Sequence, residues 1–246
     1  MDSVLRTQSW CKPAQSILEN TLKLSGAYPA IMHIRHTKRE RATPGEDPRS
    51  TELGIKAAYE FGASLPTGRR YRLWHTKVER SRETCLTIKS GLEINEAECT
   101  LAGTIPVDTI LDPVGFHEEQ PRRQIVEDTD ESVLTYLYHW LGGLYPASMV
   151  RPSMEFAQMV ARTMLEDLRR DSFHVLVSHD TWVAALMFHW FGLPPPRGWI
   201  NFLDGFVVEL RTSVSTLITK EEVIEVRLPD WWKEVYVHST STDKDV

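Results

Sequence analysis

The sequence predicts an α/β protein in which helices cover both faces of a mostly parallel sheet. Residues 30–34 and 173–177 are aliphatic runs with the composition of buried strands. Helical patterns alternate with such runs along the chain, which is typical of a parallel sheet. The chain has 246 residues, of which 41% are hydrophobic and 25% charged, so it can bury a substantial core. We expect one domain over residues 1–238.

Local patterns place the elements around the first strand. A helix is expected around Ser16–Leu24, and the polar residues 40–49, which include proline and glycine, indicate a loop. Ser50 or Thr51 can cap the next helix, which ends near Pro66. Its apolar positions recur at every fourth residue, at Leu53, Ala57, Phe61 and Leu65.

The remaining strands and helices follow in alternation. Between about residues 92 and 150 much of the chain lacks a regular period, which predicts an irregular cap segment over a site. Residues 239–246 are polar, and we expect a disordered tail. In chain order, the other expected elements are a strand at Tyr71–Trp74, helices at Glu79–Ser90, Glu131–Leu141, Met154–Arg169 and Thr181–Phe191, and two closing strands at Gly205–Leu210 and Val223–Leu228.

Composition excludes several classes of protein. The chain carries 28 Lys and Arg against 34 Asp and Glu, and the net charge of −6 argues against nonspecific nucleic-acid binding. Nothing in the sequence predicts a membrane span or a secretory signal. The three cysteines, Cys11, Cys85 and Cys99, lack the spacing of a metal site and are expected as reduced thiols. We therefore expect a cytoplasmic protein.

Charged and imidazole side chains follow two of the predicted strands directly. Arg35, His36 and Arg39 come after the first strand, and His179 and Asp180 come after residues 173–177. Ligands of open α/β sheets bind at the carboxyl ends of the strands, so these side chains are expected to converge. Two imidazoles, two guanidinium groups and one carboxylate suit phosphoryl transfer through a histidine nucleophile.

Each residue type fits one role in that chemistry. A neutral imidazole at His36 can attack phosphorus once its tautomer is fixed. Arg35 and Arg39 can donate bidentate hydrogen bonds to the phosphoryl oxygens, and a protonated His179 would add another donor. Asp180 is the candidate acid that protonates the leaving oxygen.

With these residues the chain resembles the histidine phosphatases, the superfamily that includes phosphoglycerate mutases and histidine acid phosphatases. The resemblance covers about residues 30–192 and lies in four ordered motifs: Arg35-His36-Thr37-Lys38-Arg39 for Arg-His-Gly-x-Arg, Thr51-Glu52-Leu53-Gly54, Thr76-Lys77-Val78-Glu79-Arg80 for Ser-Pro-x-x-Arg, and Ser178-His179-Asp180. It implies a phosphoglycerate mutase-like fold and adds Arg80 to the phosphate-binding residues. It further implies that a small phosphate monoester is hydrolysed through a phosphohistidine, without a metal or an organic cofactor.

The resemblance also leaves alternatives and carries two departures. In its mutase branch the acid is a glutamate, for which Glu93 and Glu96 are candidates. A phosphomutase, or a catalytically silent phosphate-binding or interaction module, are the rival functions. Thr37 replaces a glycine, and a β-branched residue disfavours positive φ, so either the phosphate loop or its contact with the substrate is expected to differ. Thr76-Lys77 replaces Ser-Pro in the turn before Arg80.

Overall fold

The computed structural model describes residues 3–41, 48–107, 133–148, 150–194 and 199–232. Within these residues seven strands form one sheet: β1 (Ala30–Arg35), β2 (Arg70–His75), β3 (Cys99–Thr104), β4 (Ser172–Ser178), β5 (Gly205–Glu209), β6 (Ser215–Ile218) and β7 (Val223–Val226). The α-helices are α1 (Val4–Thr7), α2 (Lys12–Thr21), α3 (Glu52–Ala63), α4 (Glu79–Glu93), α5 (Val133–Leu141), α6 (Ser153–Leu165) and α7 (Asp180–Phe191). A 3₁₀ turn spans Ser9–Cys11.

The strand order is β3-β2-β4-β1-β5-β6-β7, and the direction of pairing changes at β1. Strands β3, β2, β4 and β1 are parallel, whereas β5, β6 and β7 join them through antiparallel pairs. The predicted α/β fold is confirmed. Its parallel half contains both strands whose ends carry the candidate chemistry.

Helices cover both faces of the sheet, as the sequence predicts. Ile31 of β1 packs with α5, α6 and α7 on one face, whereas Met32 and Ile34 pack with α2, α3 and α4 on the other. All seven residues of β4 are buried. A strand that is covered on both sides needs apolar side chains in both directions, which explains the continuous aliphatic runs of β1 and β4.

Helices α3 and α4 approach each other closely through two glycines. A Cβ atom at Gly62 would overlap the carbonyl oxygen of Ile88, and one at Gly91 would overlap that of Tyr59. Glycine is therefore required at both crossings. At the other end of the pair the Ser50 N–H donates to Glu83 Oε2 over 2.9 Å, so the start of α3 lies beside the first turns of α4. Each helix follows a strand of the parallel half.

Several elements differ from the expectation. Helix α2 begins at Lys12, earlier than expected, because Pro13 occupies its first turn, where a missing N–H does no harm. Strands β3 and β6 were not predicted: β3 is a half-exposed edge strand that contains Gly103, and β6 has four residues. β3 and α5 lie in the segment expected to be an irregular cap, whose residues 108–132 fall outside the described ones.

The tail at residues 239–246 also falls outside the described residues. That residues 1–238 form one domain stays a prediction. No helix in the described part of the chain combines the length and the apolar character needed to cross a membrane.

Candidate active site

The pairing of β1 with β4 brings the two histidine motifs together. Arg35 lies opposite Ser178 in the parallel register, so the residues that follow them leave the sheet at the same edge. The backbone N–H of His36 donates to the Ser178 carbonyl over 2.8 Å. The ring centroids of His36 and His179 lie 5.6 Å apart, at an interplanar angle of 69°. The expected convergence of the two imidazoles is present.

His36 is held as a neutral imidazole with a defined tautomer. Its Nδ1 lies 2.8 Å from the Thr37 carbonyl, which can only accept, so the proton is on Nδ1. Nε2 thus keeps a lone pair, and Arg80 Nε donates to it over 3.0 Å. Burial lowers the pKa of His36 to about 2, and the charges of His179, Arg80 and Arg35 act in the same direction. An unprotonated Nε2 is what a nucleophile requires.

Arg35 links the first motif to Asp180. Its Nη2 lies 3.1 Å from Asp180 Oδ2, and its Nη1 donates to the Ile200 carbonyl over 2.6 Å. The guanidinium also lies 4.6 Å above the ring of Phe202. Burial lowers the pKa of Arg35, and the negative charge of Asp180 opposes this effect. Arginine remains protonated under either influence.

Arg39 lies at the edge of the site. Its Nη1 donates to the Glu40 carbonyl over 3.1 Å, and its backbone forms a β-bridge with Ser50. Its positive charge is close enough to contribute to the lowered pKa of Arg35. The structure therefore places Arg39 near Arg35, with its side chain half-buried.

The second motif begins α7. His179 is the N-cap residue of this helix, and its Nε2 lies 3.1 Å from Thr76 Oγ1. Asp180 is the first helical residue, with a side chain 22% exposed. Its Oδ1 accepts from the Thr181 N–H over 2.9 Å, and its Oδ2 accepts from Trp199 Nε1 over 2.8 Å. Hydrogen bonds to both oxygens and the salt bridge to Arg35 fix the orientation of this side chain at the start of α7.

Thr37 is accommodated without the backbone conformation that favours glycine. Among the described residues other than glycine, positive φ occurs at Glu96, Asp167, Trp199 and Leu203. The side chain of Thr37 is fully buried, and its hydroxyl donates to the Gly54 carbonyl over 2.8 Å. Its backbone N–H donates to Thr84 Oγ1 over 3.0 Å. The extra atoms of Thr37 thus fill the space between α3 and α4.

The Thr-Glu-Leu-Gly motif fixes the loop that follows β1. Thr51 caps α3 by accepting from the Gly54 N–H over 2.9 Å, and its own N–H donates to the Lys38 carbonyl. A Cβ atom at Gly54 would overlap that same carbonyl oxygen. The start of α3 therefore packs directly against the residues between His36 and Arg39.

No protein-family model and no curated protein matches this chain, but solved structures resemble it. A mycobacterial glucosyl-3-phosphoglycerate phosphatase in complex with VO3 is 16% identical, with a TM-score of 0.48 over 82% of this chain and 98% of that chain. An alpha-ribazole phosphatase from Shigella flexneri is 15% identical, with a TM-score of 0.48 over 77% and 95%. Both of these proteins are phosphatases. The likeness concerns the fold.

The structure corrects the expectation that Glu93 or Glu96 is the alternative acid. Glu93 is the last residue of α4 and Glu96 follows the helix; both are exposed, and Glu93 pairs with Lys89. Glu93 comes 13 residues after Arg80, which is about 20 Å along a helix. The end of α4 leads into the amino end of β3, so both glutamates lie at the sheet edge opposite His36.

Two further histidines are buried and structural. Burial lowers the pKa of His33 to about 3 and that of His174 to about 4. His33 Nε2 is hydrogen-bonded to Ser178 Oγ, and His174 Nδ1 donates to the Met164 carbonyl over 2.7 Å. Within the described part of the chain, no group of three or more His, Cys, Asp or Glu side chains is arranged to hold a metal ion.

Trp199 and Phe202 were not predicted at the site, and Thr76 was expected only as part of the turn before Arg80. Thr76 keeps the hydroxyl of the serine it replaces and contacts His179. Trp199 donates to Asp180, and Phe202 lies beside both Arg35 and His36. Trp199 and Phe202 precede β5, and no local pattern indicates that this strand pairs with β1. Trp182, two residues after Asp180, is buried, with its ring 6.2 Å from that of His179.

Proposed function

We propose that this protein hydrolyses a small phosphate monoester through a phosphohistidine formed on His36. The observation that carries the proposal is the state of His36: a buried, neutral imidazole whose Nε2 lone pair meets the guanidinium of Arg80. Guanidinium groups beside a nucleophile stabilise the charge of a transferring phosphoryl group. Their charge supplies what metal ions supply in other phosphatases, so the proposed reaction uses no metal or organic cofactor.

The first step transfers the phosphoryl group to the protein. His36 Nε2 attacks phosphorus and forms the N–P bond while the bond from phosphorus to the ester oxygen breaks. Arg80 moves its hydrogen bond from Nε2 to a phosphoryl oxygen, and Arg35, Arg39 and His179 supply further donors. Asp180 gives its proton to the departing oxygen, so the leaving group departs as a neutral alcohol.

The second step regenerates the free imidazole. Water attacks the phosphohistidine from the side that the alcohol has left, and Asp180 takes one of its protons. The N–P bond breaks, and its electron pair returns to Nε2. Inorganic phosphate leaves, and Asp180 keeps the proton for the next cycle or releases it to solvent as it re-forms its ion pair with Arg35.

The ion pair between Arg35 and Asp180 suggests how substrate prepares the acid. In the free protein the guanidinium lies 3.1 Å from the carboxylate. A phosphate dianion competes for the same guanidinium, because bidentate binding of phosphate is strong. Asp180 is then released from this ion pair and can serve as the acid for the leaving oxygen.

The test measures phosphate release and the covalent intermediate together. Purified protein is assayed for phosphate release with 4-nitrophenyl phosphate and a panel of phosphorylated metabolites. In a second assay it is incubated with ³²P-labelled substrate, and the reaction is quenched to trap an acid-labile, base-stable phosphoprotein. His36→Ala should abolish both signals, whereas His139→Ala, a half-buried histidine of α5, is the matched control. Equal residual rates in the wild type and His36→Ala would instead support a silent binding module. Isomerised product without phosphate release would support a phosphomutase.

A further inference from the structure

Residues 199–204 form a strained segment beside the site, just before β5. Trp199 and Leu203 have φ values of 65° and 57°. Side chains larger than glycine rarely adopt this left-handed region, and they keep it where surrounding contacts hold them. Such strain marks positions at which a segment is held in one particular conformation.

This segment contacts three of the proposed functional residues. Trp199 Nε1 donates to Asp180 Oδ2 over 2.8 Å, and the Ile200 carbonyl accepts from Arg35 Nη1 over 2.6 Å. The ring of Phe202 lies 4.6 Å below the Arg35 guanidinium and 5.9 Å from the ring of His36. One short segment therefore touches the acid, a phosphate-binding arginine and the nucleophile.

A buried ion pair holds the segment at its two ends. Lys220, in the turn between β6 and β7, donates to the Trp199 carbonyl over 3.0 Å and to Asp204 Oδ2 over 3.1 Å. Asp204 is 2% exposed, and its Oδ2 also accepts from the Asn201 N–H. Removing one partner of such a pair leaves the other as an uncompensated buried charge. Lys220 thus joins the first residue of the segment to the last.

We propose that Trp199 is a positioning residue for Asp180, and that the Lys220–Asp204 pair keeps Trp199 in place. The inference rests on the proposed function. When a phosphoryl group takes over the guanidinium of Arg35, the indole N–H still holds Asp180 Oδ2. The carboxyl group then stays directed at the leaving oxygen during the step in which its proton moves.

The test uses the fact that acid catalysis matters only for poor leaving groups. 4-Nitrophenolate departs without a proton, whereas an alkoxide requires one. Trp199→Phe keeps an aromatic ring but removes the indole N–H. It should lower kcat for an alkyl phosphate by about tenfold or more, as for loss of a hydrogen bond to a charged group. With 4-nitrophenyl phosphate the loss should stay within about twofold. Asp180→Asn should show the same selectivity with a larger loss, about a hundredfold or more.

The role of the Lys220–Asp204 ion pair is tested with two substitutions at Lys220. Lys220→Met should reproduce the selective loss on the alkyl phosphate, and Lys220→Arg should restore most of it. Lys23→Met, at an exposed lysine after α2, is the control that should leave both substrates unaffected. Trp199→Phe combined with Asp180→Asn should lose no more than Asp180→Asn alone, because the indole acts through the carboxyl.

The outcomes separate this inference from the proposed function. Equal losses on both substrates in Trp199→Phe, or no loss on either, would overturn the positioning role while His36-dependent hydrolysis remained. If Lys220→Met does not fold, the result on Trp199→Phe decides the question alone. A wild type without His36-dependent hydrolysis would overturn the proposed function and this inference together.

Discussion

Acid should unfold this protein well above the pH at which its carboxylates titrate. His33, His36 and His174 are each at most 2% exposed, and burial lowers their pKa values to about 3, about 2 and about 4. The unfolded chain binds protons at histidine near pH 6.5. Between that pH and the folded values, unfolding therefore takes up about three protons at these three side chains, and stability falls as the pH falls.

The magnitude follows from the three side chains. Each histidine that is neutral when folded and charged when unfolded contributes about 1.4 kcal/mol per pH unit, so three contribute about 4 kcal/mol per unit below pH 6.5. From about pH 7.5 to about pH 5 the sum is about 6 kcal/mol, similar to the whole stability of many domains. Burial raises the pKa of Asp204, so unfolding releases at most one proton at this residue and reduces the net proton uptake.

Urea unfolding followed by tryptophan fluorescence measures the effect across this pH range. His174→Gln, which keeps a donor for the Met164 carbonyl, should reduce the pH dependence of the free energy of unfolding by one proton, about 1.4 kcal/mol per unit. A free energy of unfolding that stays constant from about pH 7.5 to about pH 5 would refute the reasoning. So would an unchanged slope in the variant.

Two further predictions concern the helices that frame the site. Gly62→Ala should destabilise the protein by about 1–3 kcal/mol in thermal or urea unfolding, because the new methyl group meets the backbone of Ile88. The control Ser90→Ala, at an exposed position of α4, should change stability by less than about 0.5 kcal/mol. Similar losses in both variants would contradict the close contact between α3 and α4 at Gly62. Arg80→Met should lower kcat/KM about a hundredfold or more, since a donor to the phosphoryl group is lost. Its neighbour Arg82→Met, exposed and paired with Glu79, should retain activity, and equal rates in the two variants would remove Arg80 from the site.

The sequence was informative where structure is local. The aliphatic runs of β1 and β4 predicted buried parallel strands, and the residues directly after them, His36 and His179, had to emerge at one edge once the strands were neighbours. The N-cap of α3 at Thr51 was also predictable from the sequence, because its donor and acceptor are three residues apart. Such features depend on a few consecutive residues and on strand direction.

What the sequence did not reveal depends on pairing between distant segments. Trp199 and Lys220 come together because β5 and β6 lie in the sheet beside β1, and no periodicity indicates that arrangement. The error over Glu93 has a related cause. Its distance from His36 depends on the length of α4, which continues to Glu93 and carries that side chain to the far edge of the sheet.

The reversal of β5 has a consequence for how this protein can diversify. Because β5 runs against β1, the chain enters β5 at the edge where it leaves β1 and β4. Gly205 secures that crossing, since any side chain there would overlap the backbone of His33. Insertions before Trp199 would therefore lie at this edge of the sheet and leave residues 199–204 and the register of β5 unchanged. New loops that alter substrate specificity could be grafted at this edge without changing the sheet.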